Sequence, residues 1–333
     1  MQAMMMRQPG PPEVLQQVEL DPPTITQPNQ VLVRLHAAGV NPIDTKIRAR
    51  GTLLPDTLTA VLGCDGAGVV EAVGEQVSHV RPGEAVWFCY GGLGGLVGNY
   101  AEWIVVDQAA VQPLPAGLDW ISAAAAPLVL ITAWEALHDR ARIAPGQRVL
   151  IHGGAGGVGH VAIQLAVAAG ARVATTVSSA AKADFVHTLG AECAINYREE
   201  SLPEAIADWS EGQGVDIALD TIGASVLPTT FAAMRPYADV VTLLDPGPEL
   251  ELREARVRNL RLSLELMLTP QLRGLPDALA HQGHILQQCA ALIEQRKLQI
   301  TVADTFPLNQ AVAAHRRLES GGLQGKLVLT IPE

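Results

Sequence analysis

The stretch RVLIHGGAGGVGHVAIQLAVAA, residues 148–169, decides the fold. Residues 148–152 read as a short buried strand, and the glycine run that follows leads directly into an apolar, Ala-rich helix. Within the run Gly154, Gly156 and Gly159 stand at GxGxxG spacing. The first permits a tight strand-to-helix turn, the second lets backbone approach a pyrophosphate, and the third lets the helix pack closely on the strand. Free N–H groups around Gly157 and Val158, at the start of that helix, would hold the diphosphate with help from the helix dipole. Alone, the glycine spacing is weak. With a strand before it, a helix after it and another strand at 172–177, it becomes a dinucleotide fingerprint.

Working outward, strands are expected at 148–152, 172–177, 193–197, 215–220 and 238–244, with helices near 158–169, 180–189, 202–209 and 225–234. Strand and helix alternating at this pace imply an α/β, doubly wound parallel sheet with right-handed crossovers. Residues 260–268 alternate strictly, with Leu260, Leu262, Leu264, Leu266 and Leu268 on one face, and predict a half-covered sixth strand at the sheet edge. Such an edge pairs readily with a second copy, so a homodimer is expected. Toward the N-terminus the signals change to short strands broken by Gly and Pro, at 31–35, 68–73, 85–88 and 100–106, a β-rich and barrel-like pattern. Residues 119–137 read as one helix joining the two regions, and 276–298 as another. The tail at 323–331 reads as a strand returning to the first region. The domain reading is therefore 1–122 completed by about 270–333, around a nucleotide-binding domain at 123–269.

Composition narrows the function. The chain has 333 residues, 48% hydrophobic and 17% charged, as expected of an ordinary globular protein with room for two domains. No apolar run approaches the roughly 20 residues needed to span a bilayer. The N-terminal MQAMMMRQPGPPEV lacks a signal-peptide core, which predicts a cytoplasmic address. The four cysteines, Cys64, Cys89, Cys193 and Cys289, form no CxxC pair, against both a disulfide framework and a thiolate zinc cluster. A net charge of −11 disfavours nucleic acid as a partner.

The nicotinamide cofactor can be read further. An NAD-specific fold places an Asp or Glu at the end of the second strand, on the ribose hydroxyls. Here that position holds Thr176, Val177, Ser178 and Ser179, with no carboxylate. Ser178, Lys182 one helical turn on, and Tyr197 with Arg198 after the third strand can build a monophosphate pocket, which predicts NADP(H).

The blocks GVNPIDTKIRARG (39–51), LGCDGAGVVEAVG (62–74), VRPGEAVW (80–87), YAEWIVV (100–106), APLVLITAWEAL (126–137), LGAECAINYRE (189–199), VDIALDTIG (215–223) and GGLQGKLVLTI (321–331) resemble, in order and over the full length, the medium-chain dehydrogenase/reductase superfamily. Within it, the resemblance is to the zinc-less quinone oxidoreductase branch. It implies a GroES-like β-barrel catalytic domain around an inserted Rossmann domain with a six-stranded sheet, and an active site in the cleft between them. Zinc-dependent members place Cys where this chain has Asn41, His where it has Cys64, and Cys near Leu128. A catalytic zinc needs three N, S or O ligands, so no metal is expected.

Without a Lewis acid, the expected chemistry is hydride transfer from NADPH to a quinone or an α,β-unsaturated carbonyl, with side-chain donors at the developing oxyanion. The resemblance places Asn41 and Asp44 on the nicotinamide side. Asn41 can donate through its amide, and Asp44 fixes the loop by accepting donors. Lys46 stands where the branch commonly carries Tyr, and either supplies positive charge to the oxyanion or faces solvent. The resemblance also brings Thr132 and Lys326 toward the nicotinamide; the plain alternative for Lys326 is a surface lysine before an edge strand. His138, His152, His160, His187 and His315 show no HxxxH or HExxH spacing and are assigned no catalytic or metal role. Two other readings stay open: an alcohol or aldehyde dehydrogenase on the same fold, and a non-catalytic NADPH-binding protein.

Overall fold

The computed structural model describes residues 1–54 and 57–332. The chain divides into two compact units, one of Met1–Leu128, Leu268–Arg296 and Ile300–Glu333, the other of Val129–Met267 and Lys297–Gln299.

The second unit holds the glycine run. Its strands Arg148–Ile151, Arg172–Val177, Cys193–Asn196, Val215–Asp220, Met234–Thr242 and Arg261–Leu264 form one parallel sheet. Their spatial order is third, second, first, fourth, fifth, sixth, so the order reverses beside the first strand, where α/β sheets bind ligands at the strands' carboxyl ends. Val149, Leu150 and Ile151 are fully buried because helices cover both faces of the central strand. One side of the core is built from Leu150, Ala174, Ile195, Ala218, Phe231 and Val240. The helix Gly157–Ala168 leaves the first strand straight from the glycine run.

Two expectations in this region are corrected. The helix read at 119–137 is broken into Trp120–Ala125, Pro127–Trp134 and a wider π-helical turn over Glu135–Arg140. Pro127 supplies no N–H and restricts Ala126, so the helix restarts there. The first piece packs on strands Gln30–Val40 and Asp65–Val73 of the first unit, which is why that unit extends to Leu128. The alternation at 260–268 does not persist either. The edge strand stops at Leu264, and Glu265 turns inward, its buried carboxylate taking the Arg140 Nε–H at 2.9 Å. Leu264 and Leu266 are consequently 63% and 52% exposed while Met267 is buried.

In the first unit a seven-stranded sheet is built on the long strand Gln30–Val40. It pairs antiparallel with Asp65–Val73, Trp103–Asp107 and the C-terminal strand Lys326–Thr330. The burial of Gln30–Val40 alternates through its first half and becomes continuous from Ala37, where the strand passes into the interior. A three-stranded sheet of Leu15–Glu19, Gln2–Met6 and Ala60–Val61 completes the β framework. The helix Pro276–Glu294 ends four residues short of the expected 298, and Arg296 closes it with a φ of 59°. Among the described residues no helix is long and apolar enough to cross a membrane.

Candidate active site

The glycine turn meets the geometric demands of its spacing. A Cβ on Gly154 would lie 2.0 Å from Thr175 Oγ1, and one on Gly159 would lie 2.2 Å from the carbonyl oxygen of Gly153. Both positions therefore require glycine for close packing. Gly156 differs: a Cβ there would meet only the Gly153 carbonyl oxygen, at 3.2 Å, so the space before the helix is open. Gly156 is the N-cap of Gly157–Ala168, and no side chain caps that end. The first-turn N–H groups are thus free to receive an anion, and the turn fits a dinucleotide diphosphate. Its shape is fixed from the second strand, since Gly153 N–H donates to Thr176 Oγ1 at 2.9 Å and the Thr175 hydroxyl donates to the Ile151 carbonyl at 2.6 Å.

Ser178 follows the second strand and Tyr197 the third. These strand ends are adjacent, because Val177 pairs with Asn196 and Tyr197 N–H donates to the Val177 carbonyl. Lys182 lies half-buried in the first turn of helix Ala180–Thr188, and the Tyr197 ring is 57% exposed. All three occupy the carboxyl end of the sheet, the side on which the glycine turn opens. Thr132 is buried in helix Pro127–Trp134 of the same unit.

The first unit contains a second concentration of polar groups, wholly buried. Asn41 heads helix Pro42–Arg50, and its backbone N–H donates to Asp44 Oδ2 at 2.8 Å, closing the first turn. The Asn41 amide donates to Asp65 Oδ2 at 2.8 Å, and its oxygen accepts from Lys326 Nζ. Lys326 also donates to the Val40 carbonyl at 3.2 Å and stands 3.8 Å from Asp65. The other Asp65 oxygen accepts the Leu128 backbone N–H at 2.7 Å. Asp44 Oδ2 accepts in addition the Tyr100 hydroxyl at 3.1 Å, and that hydroxyl lies 3.1 Å from His315 Nε2. The structure therefore brings Asn41, Asp44 and Lys326 together. It adds Asp65, Tyr100 and His315, which local sequence reading does not single out.

Two expectations change here. Lys326 is 3% exposed and ion-paired, which excludes a surface lysine. The Asn41 amide is committed on both sides and has no exposed surface, so it positions its neighbours instead of donating to a bound molecule. Lys46, two residues beyond Asp44, is half-buried and makes no ion pair among the described residues.

Burial dominates the electrostatics. It raises Asp44 to about 7, against the opposing pull of the Asn41 N–H and the Lys326 charge. It also raises Asp65 and lowers Lys326, and in each case the opposite charge of the other partner restrains the shift. Burial, with the neighbouring carboxylates, pushes the Cys64 and Cys89 thiols well above their ordinary range. Two carboxyls thus share one ammonium, and a proton on Asp44 makes the set neutral. Lys46 is drawn below the usual lysine range by burial and by Arg50.

Among the described residues no group of three or more His, Cys, Asp or Glu side chains could hold a metal ion. The three positions discussed for zinc converge instead on an internal cation: Asn41 bonds Lys326 and Asp65, Leu128 gives its N–H to Asp65, and Cys64 stays a protonated thiol 3.9 Å from Asp44 Oδ1. This donor set does not fit a catalytic zinc.

Comparison with known proteins agrees with the architecture. Residues 27–116 match the alcohol dehydrogenase GroES-like domain, and residues 189–329 match a model described as zinc-binding dehydrogenase. Quinone oxidoreductase 1 of Escherichia coli K12 is 32% identical over 322 residues, covering 96% of each chain. The chain belongs to the quinone oxidoreductase branch of the medium-chain dehydrogenase/reductase superfamily. An alcohol dehydrogenase superfamily protein from Novosphingobium aromaticivorans superposes with a TM-score of 0.92 at 36% identity, covering 100% of both chains. The E. coli quinone oxidoreductase crystallised with NADPH superposes with a TM-score of 0.87 at 29% identity, over 99% of this chain and 100% of that one.

The raised Asp44 makes folding favour its protonated form, so stability falls as pH rises from the unfolded carboxyl value near 4 through about 7. Asp44→Asn is expected to flatten that decline in urea unfolding measured between these limits. An unchanged slope would show that Asp44 is not the titrating group.

Proposed function

We propose that this protein is an NADPH-dependent reductase of quinones and α,β-unsaturated carbonyl compounds. The observation that carries the reading is the open, uncapped helix start at Gly156, beside a second strand that ends without a carboxylate. The quinone oxidoreductase relatives and the NADPH-bound neighbour support it.

In this reading the first-turn N–H groups from Gly157 onward bind the diphosphate, and Gly154, Gly156 and Gly159 leave room for it. Ser178 and Lys182 hold the 2′-phosphate, Lys182 through a charge-assisted hydrogen bond, while the exposed Tyr197 ring covers the adenosine end. Thr132 packs against the nicotinamide side. Bound NADPH supplies a hydride. Lys46, an ammonium without an ion pair among the described residues and made more acidic by its surroundings, stabilises the oxyanion that develops on the acceptor. Asn41, Asp44 and Lys326 keep the start of the Lys46 helix in place. Alcohol oxidation through a metal does not suit this donor set.

We further infer a cytoplasmic homodimer. All four cysteines are free, as a reducing compartment allows, and the outermost strand of the nucleotide sheet ends at the exposed Leu264, with the exposed Leu266 just beyond it.

Two measurements check these readings. NADPH oxidation with 1,4-benzoquinone or an alkenal should be readily measured, and Lys182→Ala should raise KM for NADPH about tenfold, the loss of one charged hydrogen bond, while leaving NADH unaffected. Equal effects on both cofactors would remove Lys182 from the phosphate pocket, and tight NADPH binding with no acceptor reduced would favour the non-catalytic reading. Sedimentation should give a dimer that Leu264→Lys converts to monomer; a wild-type monomer refutes the edge-strand pairing.

A further inference from the structure

Tyr100 and His315 have no part in the function as described, yet both are completely buried and meet Asp44. Their hydrogen-bond directions are constrained. An ionised Asp44 can only accept, so Asn41 N–H and Tyr100 O–H both donate to Oδ2. The single Tyr100 proton is then spent. Its oxygen must accept from His315, whose Nε2 therefore carries the ring proton, leaving Nδ1 as a bare lone pair. Nδ1 is the His315 atom that lacks a partner among the described residues. The ring stays neutral, since burial, reinforced by the Arg48 guanidinium, lowers it to about 3. Arg48 is itself buried and held by Glu319 at 2.5 Å, on the helix that carries His315.

We propose that His315 and Tyr100 are positioning residues: His315 donates from Nε2 to Tyr100, Tyr100 donates to Asp44, and this one-way chain favours the charged form of Asp44 against its burial. The charge matters because Asp44 fixes the Asn41 backbone, and Asn41 holds Lys326 against Asp65. Helix Ala311–Glu319 thereby acts on the head of the helix that presents Lys46. Groups facing Asp44 from the surrounding elements are Cys64, Asp65, Tyr100 and Lys326, with His315 and Arg48 behind Tyr100. Lys326, the Tyr100 hydroxyl, the Asn41 N–H and the weak Cys64 thiol donor all favour the ionised carboxylate, so removing a donor moves its titration upward. Protonated Asp44 can donate, and the chain is then free to run in reverse, with the His315 proton on Nδ1.

The consequence for turnover rests on the reductase reading, whereas the chain itself does not. The test therefore uses two readouts. In urea unfolding against pH, Tyr100→Phe should move the midpoint of the Asp44-linked decline upward by about one pH unit, a tenfold change in its ionisation constant. His315→Gln, whose amide can still donate to Tyr100, should move it much less than His315→Leu. The pH at which kcat for quinone reduction changes should shift in the same order. Nitrogen NMR should find the Nε2–H tautomer of His315 above neutral pH. A midpoint shift without turnover in any variant would uphold the chain and reject the reductase reading. Normal turnover with an unmoved midpoint in Tyr100→Phe, or an Nδ1–H tautomer at high pH, would overturn the chain.

Discussion

A buried ammonium organises the first unit. Lys326 sits at the start of the C-terminal strand, 3% exposed, with Asp65 and Asn41 as its partners. An ion taken out of water loses several kcal/mol of solvation, which attraction and hydrogen bonds must offset. Asp65 is therefore supplied with the Asn41 amide and the Leu128 N–H, and Lys326 with the Val40 carbonyl. Four separate segments converge on this one pair. None can move without exposing a buried charge.

The same constraint accounts for the kind of side chain gathered here. Where a metal would gather ligands by its charge, the lysine does so from within the chain, and its neighbours are chosen for hydrogen bonding instead of coordination. Asp44, one turn away, is left without a cation of its own. Burial pushes its carboxyl upward, and the Lys326 charge and the neighbouring donors oppose that shift, a weaker and more adjustable control. The nucleotide unit is built differently: its glycine turn offers backbone, and the side chains of Thr175 and Thr176 serve to shape that turn.

Features whose partners lie nearby in the chain were legible in the sequence. The glycine spacing, the alternation of strand and helix and the missing carboxylate after Val177 are all local patterns. The chemistry of the first unit was less legible because its partners are remote. Tyr100 reaches Asp44 across 56 positions and His315 across 215, and Lys326 reaches Asn41 across 285. The available signal was an aspartate inside a glycine-flanked strand, since Asp65 could be buried there only with partners. The leucine alternation at the sheet edge misled for the same reason: Glu265 turns inward to meet Arg140, 125 positions away.

The most direct test of the internal-cation account is a double-mutant cycle on Lys326→Met and Asp65→Asn, followed by chemical unfolding at neutral pH. Each single substitution strands a buried charge and should cost roughly 3–5 kcal/mol, whereas the double variant should lose less than their sum by at least about 2 kcal/mol. Effects that add to within about 0.5 kcal/mol would contradict the account, because the two charges would then not be sustaining one another.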